Sequence, residues 1–395
     1  MDGIKLTLEI IDLVFFTLLL IQVAYIFYFA CHSFRKKCRK YPKTESKFKT
    51  VVLIPAYGDD SVIEKTVDSI LNQTVDKNFY EVVVISDHMC EETNKMLFLK
   101  PIILFTPQFE RSSKSNALKY AINNLNSDYS EKERYDIAVI LDSDNIVDQN
   151  FLQDIWDAFD NGMESIQAHR VAKNRSAGIS VLDAASEEIN NSLFRKAPVK
   201  VGLSAALIGS GMAFKYKWFS KNVFNTDSAG EDKEFERLLL MEGIFTDYLE
   251  NTFVYDEKIS KSASFYAQRR RWMAAQAEIL KVAIKDLPHA IKIGNWDYCS
   301  RIFQWMLLPR VILVGVLGCL SAVLTILAPA YSIKWWALFL ILLFALAFAL
   351  PDYIVDKRFK KAIKCAPWLA VLMFCNLFRM KNANKTFIHT EHTVK

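Results

Sequence analysis

Apolar residues are unevenly spread along this chain. Three long apolar runs lie near its ends, at about 10–30, 311–328 and 335–350, whereas roughly 47–276 has the mixed composition of a globular domain. Inside that middle region the period changes repeatedly. Residues 50–54 form a short β-rich run ending at Pro55, and 62–73 places Val62, Thr66, Ile70 and Leu71 at helical spacing. Residues 81–86 carry Val82, Val83, Val84 and Ile85 in one continuous run, as expected of a parallel strand buried on both faces. Residues 115–125 read as a helix and 137–141 as a further buried strand. Such alternation predicts a doubly wound α/β sheet. Ligands bind in these sheets beyond the carboxyl ends of the strands.

The terminal runs are long enough to cross a hydrocarbon core. A cleaved signal peptide is the alternative for the first. The basic block Arg35, Lys36, Lys37, Arg39, Lys40 follows that run instead of preceding it, however, and no small-residue cleavage site comes after it. The third run is followed by a second basic block, Asp356 to Lys361. By the positive-inside rule both blocks are cytoplasmic, which puts the N-terminus outside and the middle domain in the cytoplasm. Trp335 and Trp336 suit an interfacial belt, and Arg310 can snorkel to the interface. Residues 362–378 are apolar but short and broken by Pro367, so an interfacial or re-entrant helix is favoured over a fourth crossing. The expected division is an N-terminal anchor over 1–46, a catalytic domain over 47–285 and a membrane-associated region over 286–395.

Charge and cysteine content narrow the partners. The 395-residue chain carries a formal net charge of only +5, and its basic residues cluster beside the apolar runs, so nucleic acid is not implied and membrane lipid is. Its seven cysteines show no C-x-x-C pair, which reads as free thiols in a reducing compartment.

The residues that follow the strands repeat one theme. Asp59 and Asp60 follow the first, Asp87 the next, and Asp142, Ser143, Asp144 and Asn145 the third. Gathered carboxylates repel unless a cation or hydrogen-bond donors compensate. Asp142 and Asp144 are two residues apart, so period-two geometry points both the same way. Two hard oxygen ligands suit Mg²⁺ or Mn²⁺, with substrate phosphates completing the shell. A solvated turn is the alternative, because Asp-Ser-Asp-Asn is also good turn chemistry.

Four markers in order then make the chain resemble glycosyltransferase family two, the inverting group with a GT-A fold. They are Ile54-Pro55-Ala56-Tyr57 with Asp87, Asp142-Ser143-Asp144, Gly230-Glu231-Asp232, and Gln268-Arg269-Arg270-Arg271-Trp272, a Q-x-x-R-W element. Within the family the chain looks like the membrane-integrated branch of cellulose, hyaluronan and poly-N-acetylglucosamine synthases and ceramide glucosyltransferase. Two departures stand out. Gly58-Asp59 replaces the usual Asn-Glu, and Ser113 replaces the glycine that commonly precedes the lysine, here Lys114.

The resemblance implies a UDP-sugar donor and a residue-by-residue division of labour. Tyr57 and Asp87 would hold uracil by stacking and hydrogen bonding, which suits an aromatic face and a carboxylate acceptor. Lys114 would contact the nucleotide, and Asp142 and Asp144 the metal and donor. Asp232, beside Glu231, would be the general base that takes the acceptor hydroxyl proton. Gln268, Arg271 and Trp272 would grip the diphosphate and wall the acceptor site. Asn190 to Phe194 and Gly209 to Met212 fall where the family lines its acceptor path. Read alone, each has a plainer role: Tyr57 as packing, Asp87 as a helix cap, Lys114 as a surface charge, Glu231 and Asp232 as first-turn acids, and Arg269 to Arg271 as a solvated basic face.

The expected function is metal-dependent transfer of a sugar onto an acceptor, with extension of a β-linked polysaccharide slightly preferred. Single transfer to a lipid acceptor is the alternative, and a homo-oligomer could share a polymer channel. A transport or scaffold role is disfavoured by the intact acids and Trp272.

Overall fold

The computed structural model describes residues 2–34, 40–127, 135–176, 178–228, 230–258 and 262–365. Eight strands form one sheet: β1 (Thr50–Tyr57), β2 (Tyr80–Asp87), β3 (Ile103–Phe105), β4 (Ile137–Ile140), β5 (Ile146–Val147), β6 (Ser165–Ala172), β7 (Met212–Lys215) and β8 (Thr246–Asp256). Their order is β3-β2-β1-β4-β7-β6-β8-β5. The β3-β2-β1-β4 half is parallel throughout. In the other half β7 runs antiparallel to both neighbours and β5 antiparallel to β8, while β6 and β8 pair in parallel. The sheet is thus mixed and mostly parallel.

The predicted runs became the predicted elements because both faces of the sheet are covered. Val52, Ile54, Val82 and Val84 pack beneath the helices Ile63–Leu71 and Phe151–Asp160. Val51, Leu53, Val83 and Ile85 pack on the other face against Lys114–Leu125, Tyr216–Asn222 and Glu231–Met241. Ser113 caps the first of these, its hydroxyl accepting from Asn116 N at 3.1 Å, so the residue that departs from the family pattern starts the helix that carries Lys114. Phe214 stacks on Phe219 and touches Phe235, all three fully buried, and truncating such a ring costs about 3–5 kcal/mol.

Three helices are long and apolar enough to cross a membrane: Ile4–Ser33, Arg310–Leu327 and Pro329–Ala349. At 18 residues the second is about 27 Å long, close to a bilayer core of about 30 Å. The third starts at Pro329, whose fixed φ suits the first helical position, before the apolar run begins at residue 335, and its Lys334 is paired with Asp12 of the N-terminal helix. Trp335 Nε1 donates to the same carboxylate at 3.0 Å and Tyr331 OH donates to Glu9 at 2.9 Å. At the other end of this pair Phe34 meets Phe348, so the first and third helices run parallel. Of the segment 362–378, residues from 366 lie outside the described residues.

Candidate active site

A cavity of about 500 Å³ opens where β1, β2 and β4 end. Tyr57, Asp87, Lys114, Asp142 and Asp144 line it from the sheet side, Glu231 and Asp232 from the first turn of the helix Glu231–Met241, and Gln268, Arg271 and Trp272 from the helix Ser262–Ala283. All ten sequence-derived candidates therefore face one space, although they span more than two hundred positions of sequence.

Lys114 is the electrostatic hub. Its Nζ bonds Asp142 Oδ1, donates to Gly209 O at 2.6 Å and lies 3.6 Å from Glu231 Oε1. Burial works to lower its pKa, but Asp142 and Glu231 outweigh it and hold the ammonium above the ordinary lysine value. The Glu231 carboxyl, only 8% exposed, is pushed up to about 7 by burial, opposed by Lys114 and reinforced by Asp232. Asp232 lies more openly at 15% exposure, with Lys233 Nζ donating to it at 3.2 Å.

Backbone geometry aims these groups. Asp142 N donates to Ser210 Oγ at 2.9 Å, and Asn145 Nδ2 donates to Asp144 Oδ1 at 2.9 Å and to Asp256 Oδ1 at 3.3 Å. Gly230 lets the acidic turn press on the helix Ser262–Ala283: a Cβ there would lie 3.0 Å from the Ala275 Cβ. On the β2 side His88 adopts φ 56, its Nδ1 lies 2.6 Å from Asp87 Oδ1, and its ring sits 5.0 Å from that of Tyr57. Among the described residues no three His, Cys, Asp or Glu side chains converge to cage a cation. Asp142 and Asp144 thus offer two hard oxygen donors whose shell needs ligands from outside the protein, which fits a Mg²⁺ or Mn²⁺ shared with a diphosphate.

The family model described as glycosyl transferase family group 2 matches residues 137–350, and that described as glycosyl transferase family 2 matches 51–222. The chain belongs to glycosyl transferase family group 2. It is a glycosyltransferase with a GT-A-type fold. Mannosyltransferase PcManGT from Pyrobaculum calidifontis, solved in complex with GDP-Man and Mn2+, superposes with a TM-score of 0.61 at 17% identity, covering 94% of this chain and 99% of that one. Glycosyltransferase GlyA of Streptococcus pneumoniae is 23% identical over 252 residues, 60% of this chain and 34% of its own length. The poly(ribitol-phosphate) beta-N-acetylglucosaminyltransferase TarP of Staphylococcus aureus is 24% identical over 250 residues, 60% of this chain and 73% of TarP. The chain thus spans about a third of GlyA.

The glycosyltransferase also holds charged residues that no motif marked. Glu187 sits buried among three cations: Arg170 Nη2 donates to it at 3.2 Å, Arg195 Nη1 at 3.3 Å, and Lys258 Nζ lies 3.9 Å away. Burial would raise its pKa, but Arg170, Lys258 and Arg195 hold the carboxyl well below the ordinary range. Arg195 belongs to a π-helical turn, Ser192–Lys196, that follows the helix Gly178–Asn191, and such turns recur at functional sites. That turn also brings Phe194 to the cavity, and Asn190 and Gly209 line it too. Gly211 instead packs away from it: at φ 63, a Cβ would meet Val254 Cγ2 at 2.7 Å. Arg269, in the Q-x-x-R-W element, pairs with Asp183 and lies 4.9 Å over Trp272. Arg310 does not snorkel outward but turns inward, where its Nη2 donates to Ser186 O at 3.0 Å.

Proposed function

We propose that this enzyme is an inverting, metal-dependent glycosyltransferase. It would move a sugar from a UDP-sugar to a hydroxyl of an acceptor held at the cytoplasmic surface of a membrane. The observation that carries the reading is the single cavity in which uracil-type, metal-type and base-type residues meet. The domain over 47–285 would perform the chemistry between the anchors 1–46 and 286–395.

Tyr57 offers a ring face for the base and Asp87 a carboxylate for its N–H, with His88 fixing that carboxylate. Asp142 and Asp144 would hold Mg²⁺ or Mn²⁺, which when bound neutralises the departing diphosphate. Lys114 adds a fixed positive charge beside Asp142 and keeps Glu231 close, and Arg271 gives a fork for a phosphate. Asp232 takes the acceptor hydroxyl proton as that oxygen forms its bond to the anomeric carbon and the carbon–phosphate-oxygen bond breaks, releasing UDP. A single displacement of this kind inverts the anomeric centre. Trp272 walls the acceptor side, with Gln268 beside it on the same helix.

The cavity favours a lipid acceptor. Leu307, Leu308, Pro309 and Val311, at the head of the helix Arg310–Leu327, add apolar surface to its lining, which suits a hydrocarbon chain. Extension of a polysaccharide is the second reading, supported by the Q-x-x-R-W element and the Trp272 wall.

One experiment tests both levels. Purified enzyme is incubated with radiolabelled UDP-sugars and membrane lipid extract, and the product is sized. Asp232→Asn should keep UDP binding while turnover falls about 10²–10⁴-fold, the usual contribution of a positioned base. Normal turnover in that variant would remove Asp232 from the mechanism. A large water-soluble polymer would replace the lipid reading by the polysaccharide one.

A further inference from the structure

Resting on that reading, we infer that Arg310 is a recognition site for a phosphate group on the lipid acceptor, a site separate from the motifs that handle the donor. Arg310 is the first residue of a helix of membrane-spanning length. A charged side chain there would ordinarily reach outward to the headgroups. Here it turns into the cavity instead. Nη2 donates to Ser186 O at 3.0 Å and to Ser186 Oγ at 3.2 Å, and the guanidinium lies 5.9 Å from the Phe194 ring. Nη1 is buried and has no hydrogen-bond partner.

The contrast with its neighbours decides the case. Arg195 and Arg170 share the Glu187 carboxylate, and Arg269 has Asp183. Among the described residues Arg310 has no carboxylate in ion-pair range; its partners are a serine and an aromatic ring. A buried guanidinium with a free donor is costly unless an anion completes it. An ionisable group turned into an interior cavity at the head of an apolar helix, with a donor left unpaired, points to a bound anion.

The surroundings define the anion's chemistry. Leu307, Leu308 and Val311 beside Arg310 offer apolar surface to an acyl or prenyl chain, and Phe194 packs against the same apolar cluster as Leu307 and Leu308. A planar fork with one hydrogen-bonding edge free suits a phosphate oxygen. The acceptor is therefore a lipid whose phosphate sits at Arg310 and whose sugar or polyol hydroxyl extends towards Asp232. The donor's own diphosphate would have its partners elsewhere in the cavity, at Lys114 and Arg271 and at the metal that Asp142 and Asp144 would hold.

The test uses the full chain in neutral maltoside micelles. It is titrated separately with short-chain phosphatidylglycerol, with the diacylglycerol of the same chains, with inorganic phosphate, and with UDP in the presence of Mn²⁺. Wild type should bind phosphatidylglycerol roughly 10–100-fold more tightly than diacylglycerol, the range expected of one charge-assisted contact. Arg310→Gln should erase that difference, Arg310→Lys should keep part of it, and neither should change UDP affinity. Intact UDP binding shows that the variants are folded, and Arg310→Lys carries the test should the glutamine variant fail to fold. The proposal is overturned by equal affinity of wild type for the two lipids. It is equally overturned by full discrimination in Arg310→Gln, by inorganic phosphate binding as tightly as phosphatidylglycerol, or by loss of UDP affinity with lipid affinity unchanged. Failure of the underlying donor reading is visible separately, as wild type that binds phosphatidylglycerol but no UDP.

Discussion

Exchanging Glu187 for glutamine removes one charge and keeps the shape of the side chain. Arg195 then has no carboxylate in ion-pair range among the described residues, Arg170 loses its own, and Lys258 keeps Asp256 at 2.7 Å. The carboxylate is 5% exposed and the two guanidinium groups 5% and 9%, so water cannot take over. Breaking a buried ion pair from one side costs about 3–5 kcal/mol. That is a large part of the roughly 5–15 kcal/mol that holds a domain together. At about 2–4 °C per kcal/mol the melting temperature should fall on the order of 10 °C. Tryptophan fluorescence during heating in micelles reads it directly. The pH dependence supplies an internal check. The folded pKa lies far below the unfolded value of 4.5, so the unfolded state binds more protons on acidification. The stabilisation is fully present above that value and is lost only as pH falls towards the folded pKa. The gap between wild type and Glu187→Gln should therefore be flat from about pH 8 to 5. A shift of under a degree or two, or a gap that already closes near pH 6, would refute the ion-pair account.

Three further outcomes are expected. Asp144→Asn, or wild type in excess chelator, should lose transfer while its melting temperature without metal stays near that of wild type; full activity in either case removes the metal role. Because Glu231 titrates near 7 when folded and near 4.5 when unfolded, the folded state holds an extra proton between those values. Wild-type stability should accordingly decline as pH rises through that window, and Glu231→Gln should flatten the decline; parallel profiles would contradict it. An impermeant maleimide added to intact cells should leave the exposed Cys90 unlabelled if the catalytic domain is cytoplasmic, and rapid labelling would invert the topology.

What was legible in the sequence was whatever repeats locally. Val82 to Ile85 could be read because a strand buried on both faces needs an unbroken apolar run, and the acids after β1, β2 and β4 because parallel strands deliver their ends to one edge. Lys114 was legible as a loop cation, but its grip on Asp142 and Glu231 was not, since those partners are distant in sequence. The cluster of Arg170, Glu187, Arg195 and Lys258 left no trace at all. Its members come from a strand, a helix, a π-turn and a loop, and each alone looks like an ordinary surface charge. The antiparallel β7 was also silent, because its four residues are too few for a pattern. Lys334 misplaced the start of the third membrane helix, since a pattern cannot reveal that Asp12 will neutralise it.

That Asp12–Lys334 contact joins residues 322 positions apart, and Tyr331–Glu9 repeats the tie at the same separation. A ribosome therefore completes the whole catalytic domain before the first membrane helix can meet its partner. Until then Asp12 has neither the Lys334 ammonium nor the Trp335 N–H to satisfy it. The helix Pro329–Ala349 thus acts as the clasp that completes the polar ties of the first. Replacing Lys334 with leucine would make the third helix more apolar in isolation, yet leave the first with an orphaned acid and slow assembly of the finished enzyme.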